Sequence, residues 1–323
     1  MTRETIAIAG ASGYLGRVLV RHFVSRGYGV LPLTRGNVRT IEGVEAVSWN
    51  PEDAATLAGL IDGVAIVVNL CGKSVDCRYH SRNQTEILQS RLVPTRTIAA
   101  AIDLCERPPA LWINASSATI YSQAFTQPQT EERGIIGSGF SVDVCSQWEK
   151  AFIEQPLPHT RRIALRTALV LGNGQNSVYP RLKRIARLGL GGAIGSGRQM
   201  VSWIHETDFA RAVSFLVENE ELDGVFNLAA PAPLPNKDFM RAIRERTGIP
   251  FGLPNPTWML EIGCFLLRTE SELVLKSRFI VPERLLRNRF LFRYPFVDEA
   301  MTAIDSETDI SNSAFDSELL GAR

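Results

Sequence analysis

Several large classes of protein leave marks that this chain does not carry. Its five cysteines, Cys71, Cys77, Cys105, Cys145 and Cys264, include no C-x-x-C pair, so neither a redox dithiol, a zinc knuckle nor a disulfide framework is suggested. The four histidines, His22, His80, His159 and His205, are dispersed, and no metal site is expected. No apolar run reaches the length needed to cross a bilayer. The nearest, WMLEIGCFLL at 258–267, is too short and carries Glu261. A net charge of +1 offers no basic field for nucleic acid and no acidic one for basic partners. No leader pattern is evident, because MTRET runs straight into the first strand-like segment. The expectation is a cytoplasmic protein in a reducing compartment, with a small molecule rather than a nucleic acid or a membrane as its partner, and with a homodimer as the assembly to consider.

What is present is an ordinary globular composition, 45% apolar and 21% charged over 323 residues, enough for one large domain or two modest ones. Short runs rich in Ile and Val at 5–9, 28–33, 44–49, 64–69, 110–114 and 161–167 predict strands. Helical patterns fall near 14–26, 81–106, 141–154, 177–188 and 207–219. This alternation predicts an α/β fold of the Rossmann type, a doubly wound parallel sheet covered on both faces. After about residue 175 the pattern changes to a glycine-rich stretch, frequent prolines between 231 and 256, and helices at 236–247, 257–268 and about 281–287. The expected division is a dinucleotide-binding domain at 1–175 with returning segments 199–230. A smaller, mainly helical substrate or lid domain would comprise 176–198 and 231–303, followed by a loosely held acidic tail at 304–323.

Gly10, Gly13 and Gly16 in GASGYLG lie between the first strand and the first helix. Strand, G-x-x-G-x-x-G and helix form the context a dinucleotide fingerprint needs. Gly10 allows the tight turn, Gly13 lets backbone N–H groups approach a diphosphate, and Gly16 lets the helix lie close to the sheet. The helix N-terminus then faces the phosphates with its partial positive charge, and the Ser12 hydroxyl is a further donor. The NAD-specific acid expected about 20 residues on, at the end of the second strand, is missing. The chain has Thr34 and Arg35 there, and its first acid afterwards is Glu42. An arginine in place of the acid favours NADP(H), because a guanidinium pairs with a 2′-phosphate through two parallel hydrogen bonds.

The order of further motifs extends this reading. VVNLCGKSV (67–75), SRLVPTRTIAAAI (90–102), INASSATIYS (113–122), VCSQWEKA (144–151), RTALVLGNG (166–174), GSGRQMVSWIHETDFARAVSFL (195–216), GVFNLAAPAP (224–233) and RFIVPERLL (278–286) follow one another. With the glycine loop, they resemble the atypical short-chain dehydrogenase/reductase group called the NAD-dependent epimerase/dehydratase family. Within it, the chain is similar to a branch with an extra C-terminal domain of unassigned function. The resemblance implies that Leu70, Cys71 and Gly72 pass beside the cofactor ribose and that Trp49 and Asn50 flank the adenine. It also places Ser116 near the nicotinamide and matches Ser117 to a serine that hydrogen-bonds the reacting oxygen. Tyr14, Leu15 and Arg166 join the expected cofactor set through their motifs. The implied activity is that of an oxidoreductase or epimerase acting on a small polar substrate, with a nucleotide sugar as one candidate.

One element of the wider family's pattern is absent. Its Tyr-x-x-x-Lys proton-transfer pair should lie on the helix FSVDVCSQWEKAFIE, which contains no tyrosine. Val144 or Cys145 takes the tyrosine position, and Trp148 or Glu149 the lysine position. Substitute groups are Tyr121, Cys145, Glu149 and Lys150, with Ser117, Tyr121 and Lys150 the catalytic set expected. The alternative is a non-catalytic NADP(H)-dependent binding or regulatory protein. On the substrate side, Arg198, Gln199, Trp203 and His205 surround a glycine-rich segment, Arg198 being suited to a phosphate or carboxylate. Asp208 is expected to play a structural part in a first helical turn.

Overall fold

A computed structural model describes residues 3–174, 176–253 and 276–307. Its centre is a seven-stranded parallel sheet. Strand β1 (Arg3–Ala9) leads through α1 (Tyr14–Ser25) to β2 (Tyr28–Thr34). A hairpin of β3 (Thr40–Ile41) and β4 (Val44–Glu45) precedes the edge strand β5 (Val47–Ser48). Then come α2 (Ala54–Ile61), β6 (Ile66–Asn69), α3 (Ser81–Leu104), β7 (Leu111–Ser117), α4 (Phe140–Ile153) and β8 (Arg161–Thr167). With β12 (Gly224–Leu228), the spatial order is β5-β2-β1-β6-β7-β8-β12. The order reverses between β1 and β6, and the crevice at their carboxyl ends is where folds of this type bind ligands.

Alternation along the strands separates the two faces. Ile6, Ile8, Val68 and Ile113 point into one core with Val18, Leu19 and Phe23 of α1 and with Phe209 and Val213 of α6 (Glu206–Glu218). Ala7, Ala9, Val67 and Trp112 point into the other with Leu57, Ile98 and Phe152 from α2, α3 and α4. Trp112 is fully buried and meets Phe152 edge to face at 4.6 Å, a geometry that adds roughly 1 kcal/mol to the burial itself. Both faces being covered explains why these strands are apolar without interruption.

A third core lies beyond the sheet edge. It joins Leu171 of β9 (Leu169–Leu171), Tyr179 of α5 (Val178–Ile185), Trp203, and Phe239, Met240 and Ile243 of α7 (Asn236–Thr247) to Ala300, Met301 and Ile304. β9 pairs in parallel with β11 (Trp203–His205), and β10 (Met200–Val201) pairs antiparallel with β13 (Leu234–Pro235). The segment after 276 is stitched back onto the sheet. Gln129 N–H donates to Phe279 O at 2.7 Å, and Glu131 Oε1 accepts from Asn227 N at 2.9 Å and from the N–H of Arg284 in α8 (Glu283–Arg287) at 3.4 Å.

Several expectations are corrected here. The run at 44–49 is not one strand. Val44–Glu45 pairs back onto β3 across the two-residue turn Glu42–Gly43, whose φ values are 50° and 80°, whereas Val47–Ser48 joins β2 in the main sheet. Helix α2 was not anticipated, although Asp53 caps it by accepting from Thr56 N at 3.0 Å. The helix expected at 177–188 holds its α form only to Ile185, and Gly189 with φ 76° breaks the wider turns that follow. The tail expected to be loose from 304 is helical through 297–307, with Asp305 accepting from Lys183 Nζ at 2.7 Å and Tyr179 Oη at 3.2 Å. The helix expected at 257–268 and the rest of the tail lie outside the described residues.

Candidate functional site

The glycine loop is built as its spacing requires. Gly10 has φ 78°, and a Cβ there would stand 2.9 Å from the Leu70 carbonyl, so the loop lies directly against Leu70 and Cys71. Gly10 and Ala11 N–H groups both donate to Leu33 O, at 3.2 and 3.3 Å, tying the loop to the end of β2. A Cβ on Gly16 would stand 2.5 Å from Gly10 O, so α1 presses on the loop backbone. Helix α1 begins after Gly13 with no side-chain cap. Its first-turn N–H groups therefore need acceptors from outside the helix. Ser12 is exposed beside them. Tyr14 and Leu15 turn inward. Tyr14 Oη donates to the Glu206 carboxylate, and Gly174 leaves the space its ring fills. Burial raises the pKa of both partners, with the Glu206 charge adding to the effect on the phenol.

At the other end of the crevice, buried Thr34 donates its hydroxyl to Gly36 O at 2.9 Å. Arg35 is exposed and forms no ion pair among the described residues. Glu42 is occupied by Arg17 and Arg21, at 3.4 and 3.1 Å. Trp49 is buried in the core beneath β2, its indole N–H without a partner among the described residues, and Asn50 folds onto its own chain by accepting from Glu52 N at 3.1 Å. Cys71 is buried, and its thiol is pushed up to about 12 by that burial.

The carboxyl end of β7 carries the densest polar cluster. Ser116 Oγ donates to Glu149 Oε1 at 2.5 Å, and Arg166 makes a two-pronged contact with the same carboxylate at 2.8 and 2.7 Å. Arg166 Nη1 donates to Tyr121 Oη at 2.9 Å, and Tyr121 donates in turn to Asn227 Oδ1 at 2.9 Å. Burial opposes the Arg166 cation, but the hydrogen bonds and charge of Glu149 outweigh it and raise its pKa. Burial likewise raises the Tyr121 pKa against the opposing pull of Arg166, so this phenol is a neutral hydrogen-bond donor near neutral pH. Ser117 is half-buried at the end of β7, with its hydroxyl accepting from Thr119 N at 3.2 Å.

Other expected site residues are placed elsewhere. Lys150 points away from the cluster; its side chain is 69% exposed and lies 3.9 Å from Glu154. It is one residue out of phase with the inward face of α4, which presents Cys145, Trp148, Glu149 and Phe152. Gln199, Trp203 and His205 are buried rather than open to a substrate. Gln199 donates to Ile194 O at 2.8 Å, Trp203 fills the third core, and His205 caps α6 by accepting from Thr207 N at 3.0 Å. Arg198 is exposed, and Gly72 lies against the Arg91 guanidinium. Asp208 is fully buried and anchors the Arg293 and Tyr294 N–H groups at 2.8 Å, the structural part expected of it. A depression of about 370 Å³ beside Arg161 and Arg162 is at the opposite, amino end of the strands. Both guanidiniums there are bonded to helix-end carbonyls, Arg161 to Leu216 O at 3.2 Å and Arg162 to Ile153 O at 2.6 Å.

Two features escaped the sequence reading. The Glu149–Arg166 pair joins residues from α4 and β8 whose approach depends on the sheet order. Arg91 lies within α3 with no acid three or four residues away in either direction, between Ile87 and Thr95. A cation on an otherwise apolar helix face was the available signal.

Known proteins resemble the chain along most of its length. The model for the NAD dependent epimerase/dehydratase family matches residues 6–229, and a domain of unknown function, DUF1731, matches 255–304. An epimerase family protein of Mycobacterium leprae is 31% identical over 93% of this chain and 95% of its own. The crystal structure of the human epimerase family protein SDR39U1 with NADPH superposes with a TM-score of 0.82 at 26% identity, covering 93% of this chain and 98% of that one. A nucleoside-diphosphate sugar epimerase from Corynebacterium glutamicum gives a TM-score of 0.75 at 25% identity, over 94% of this chain and 58% of that one.

Proposed function

We propose that this chain, which belongs to the NAD-dependent epimerase/dehydratase family, binds NADP(H) in the crevice between β1 and β6 and acts on a small polar substrate beside Ser117. The observation that carries the reading is the uncapped start of α1 behind a glycine loop with no room for a Cβ at Gly10. The residues present fit a dinucleotide: the loop and first-turn N–H groups of Gly13, Tyr14, Leu15 and Gly16 would hold the diphosphate, with Ser12 beside them. Leu70, Cys71 and Gly72 would border the ribose. Thr34, Arg35 and Asn50 would form the adenosine end, with Trp49, expected beside the adenine, buried in the core beneath them. Arg35 has no carboxylate partner among the described residues, and Glu42, the nearest acid along the chain, is held by two other arginines. That supports a 2′-phosphate as the anion Arg35 meets. The NADPH-bound human relative agrees in kind.

When bound, a nicotinamide supplies a hydride donor or acceptor. The chain's own part would be to hold the reacting oxygen. Ser117 presents a hydroxyl at the cleft end of β7, and Ser116, Glu149, Arg166 and Tyr121 form the rigid chain of hydrogen bonds behind it. Residues 1–175 with 199–230 would carry the dinucleotide, and 176–198 with 231–303 the substrate side, where Arg198 is an exposed cation. The nucleoside-diphosphate sugar epimerase among the structural relatives makes a nucleotide sugar the first substrate to try. A reading as a binding protein without turnover is favoured by one observation: Tyr121 is tied to Arg166 and Asn227, and Lys150 faces away, so no tyrosine–lysine pair stands at the cleft.

Titration of NADPH and NADH against the wild type and Arg35→Ala tests the reading. The substitution should weaken NADPH about tenfold or more, the scale of a charge-assisted pair, and leave NADH nearly unchanged. Equal losses would remove the case for NADP(H), and a wild type that binds neither would remove the dinucleotide site.

A further inference from the structure

Among the described residues, Arg91 is a guanidinium without a counter-charge. It projects from α3 toward the carboxyl end of the sheet, where its Cζ lies 3.2 Å from the position of a Cβ on Gly72 and 5.2 Å from the centre of the Trp148 ring. One of its N–H groups donates to Ile87 O in its own helix at 2.8 Å, and among the described residues it forms no ion pair. Arg91 is half-buried, and a cation partly withdrawn from water is ordinarily paired, because losing hydration is costly. Burial lowers the Arg91 pKa, and the groups whose charge would offset this are a thiol and a phenol, Cys145 and Tyr79. The Cys145 thiol is itself pushed up to about 12 by burial, so it supplies no anion at neutral pH.

The surroundings hold the ring beneath this cation in place. Trp148, whose ring faces it, donates its indole N–H to Thr95 Oγ1 at 2.9 Å. Thr95 donates to Arg91 O at 2.8 Å and also accepts from Asn69 Nδ2 at 3.1 Å, while Asn69 reaches Asn114 at 2.7 Å. Ends of β6 and β7, together with α3 and α4, thus fix the aromatic ring, while the guanidinium over it is held by its own bond to Ile87 O. Such a device suits a planar or tetrahedral oxyanion that takes two parallel hydrogen bonds.

We infer that Arg91 is a substrate-binding residue, and that the substrate of this site carries a phosphate or carboxylate which the guanidinium receives over Trp148. The inference rests on the reading of the crevice as a dinucleotide site. Position separates the substrate's anion from the cofactor's diphosphate. The glycine loop meets the chain at Leu70 and Cys71, whereas Arg91 lies past them at Gly72, beside the helix that in this family carries the proton-transfer pair. Trp148 and Gly72 then have a shared purpose, one as a platform and the other as clearance.

Calorimetric titration of the NADPH-saturated protein with inorganic phosphate is the test, because saturation with NADPH fills the diphosphate cradle first. Wild type should bind phosphate saturably. Arg91→Met should weaken it about tenfold or more, the loss expected for one hydrogen-bonded charge pair. Arg91→Lys, which keeps the charge but not the fork, should fall between the two, and it decides the matter if Arg91→Met does not fold. NADPH affinity should change less than threefold in either variant. Unchanged phosphate affinity in the variants, or no saturation in the wild type, overturns the inference. So does a tenfold loss of NADPH affinity, since the guanidinium would then serve the cofactor. If the wild type binds no NADPH, the dinucleotide reading fails by itself, and the same comparison on the cofactor-free protein still decides the role of Arg91.

Discussion

The Glu149–Arg166 pair offers a quantitative test of how the cluster behind Ser117 is held. Their side chains are only 9% and 11% exposed. Glu149→Ala removes both Arg166 contacts and the acceptor for Ser116 Oγ, leaving a buried guanidinium with Tyr121 Oη as its remaining partner. Breaking a buried pair from one side costs about 3–5 kcal/mol, because the desolvated charge stays behind. At roughly 2.1 cal/mol/K of unfolding entropy per residue, a chain of 323 residues loses about 4–7 °C in Tm for that change, taking unfolding as two-state. Calorimetry at pH 7 should show such a drop for Glu149→Ala and a similar one for Arg166→Met. The double variant Glu149→Leu/Arg166→Met carries no orphaned charge, and it should recover at least half of the loss of either single variant. Single variants within about 1 °C of wild type, or a double variant showing the plain sum of both losses, would refute the claim that these charges depend on each other.

Two further perturbations probe the crevice and the packing beside it. Gly10→Ala places a Cβ 2.9 Å from the Leu70 carbonyl at a φ of 78°; strain of about 1–3 kcal/mol should weaken NADPH binding, read by fluorescence titration, some 5- to 150-fold, and undiminished affinity would mean the loop is not the cradle. His205 is fully buried with its pKa pushed down to about 4, by burial first and by the Arg293 cation second. The unfolded side chain titrates near 6.5 and takes up its proton first, so stability present at pH 7 should be lost as the pH falls from 6.5 toward 4, by about 3 kcal/mol. His205→Asn keeps an acceptor for Thr207 N, and urea unfolding should show that acid loss reduced in the variant; identical pH slopes would contradict the assignment.

The architecture was legible because its signals are local. Ile6 and Ile8 alternate with Ala7 and Ala9, and a glycine loop follows at once, so strand, turn and helix announce themselves within about twenty residues. The elements that escaped were short or depended on distant partners. β12 is apolar in Val225, Phe226 and Leu228 but begins at a glycine and ends among alanines and prolines; its strand character comes from pairing with β8, in the register Val225↔Ala164. β9 and β11 are three residues each, and Leu169↔Trp203 is a pairing that no local pattern encodes. The run at 44–49 resembled a continuous strand because what divides it at Ala46 is a change of partner, from β3 for Val44–Glu45 to β2 for Val47–Ser48, which no local pattern encodes.

The candidate site was legible to the degree that its chemistry resides in the backbone. Glycine spacing specifies a close-packed backbone turn whatever side chains surround it, and Gly10 and Gly16 lie against neighbouring backbone as that spacing required. Side-chain chemistry was harder to read because helix phase decides which neighbour faces inward. A search for lysine settles on Lys150, yet a residue's angular step of about 100° turns it to solvent and leaves Glu149 facing the sheet. The i, i+3, i+4 and i+7 positions Cys145, Trp148, Glu149 and Phe152 form one buried stripe, and that periodicity points to Glu149 without any reference to lysine. A carboxylate so placed needs a cation. The cation comes from Arg166 because β8 lies beside β7, bringing the last turns of α4 over both strands. Where a family's usual pair supplies one positive charge beside a phenol, this fold supplies Arg166 beside Tyr121, then neutralises it with Glu149. Arg91, on the facing helix α3, has no such carboxylate among the described residues.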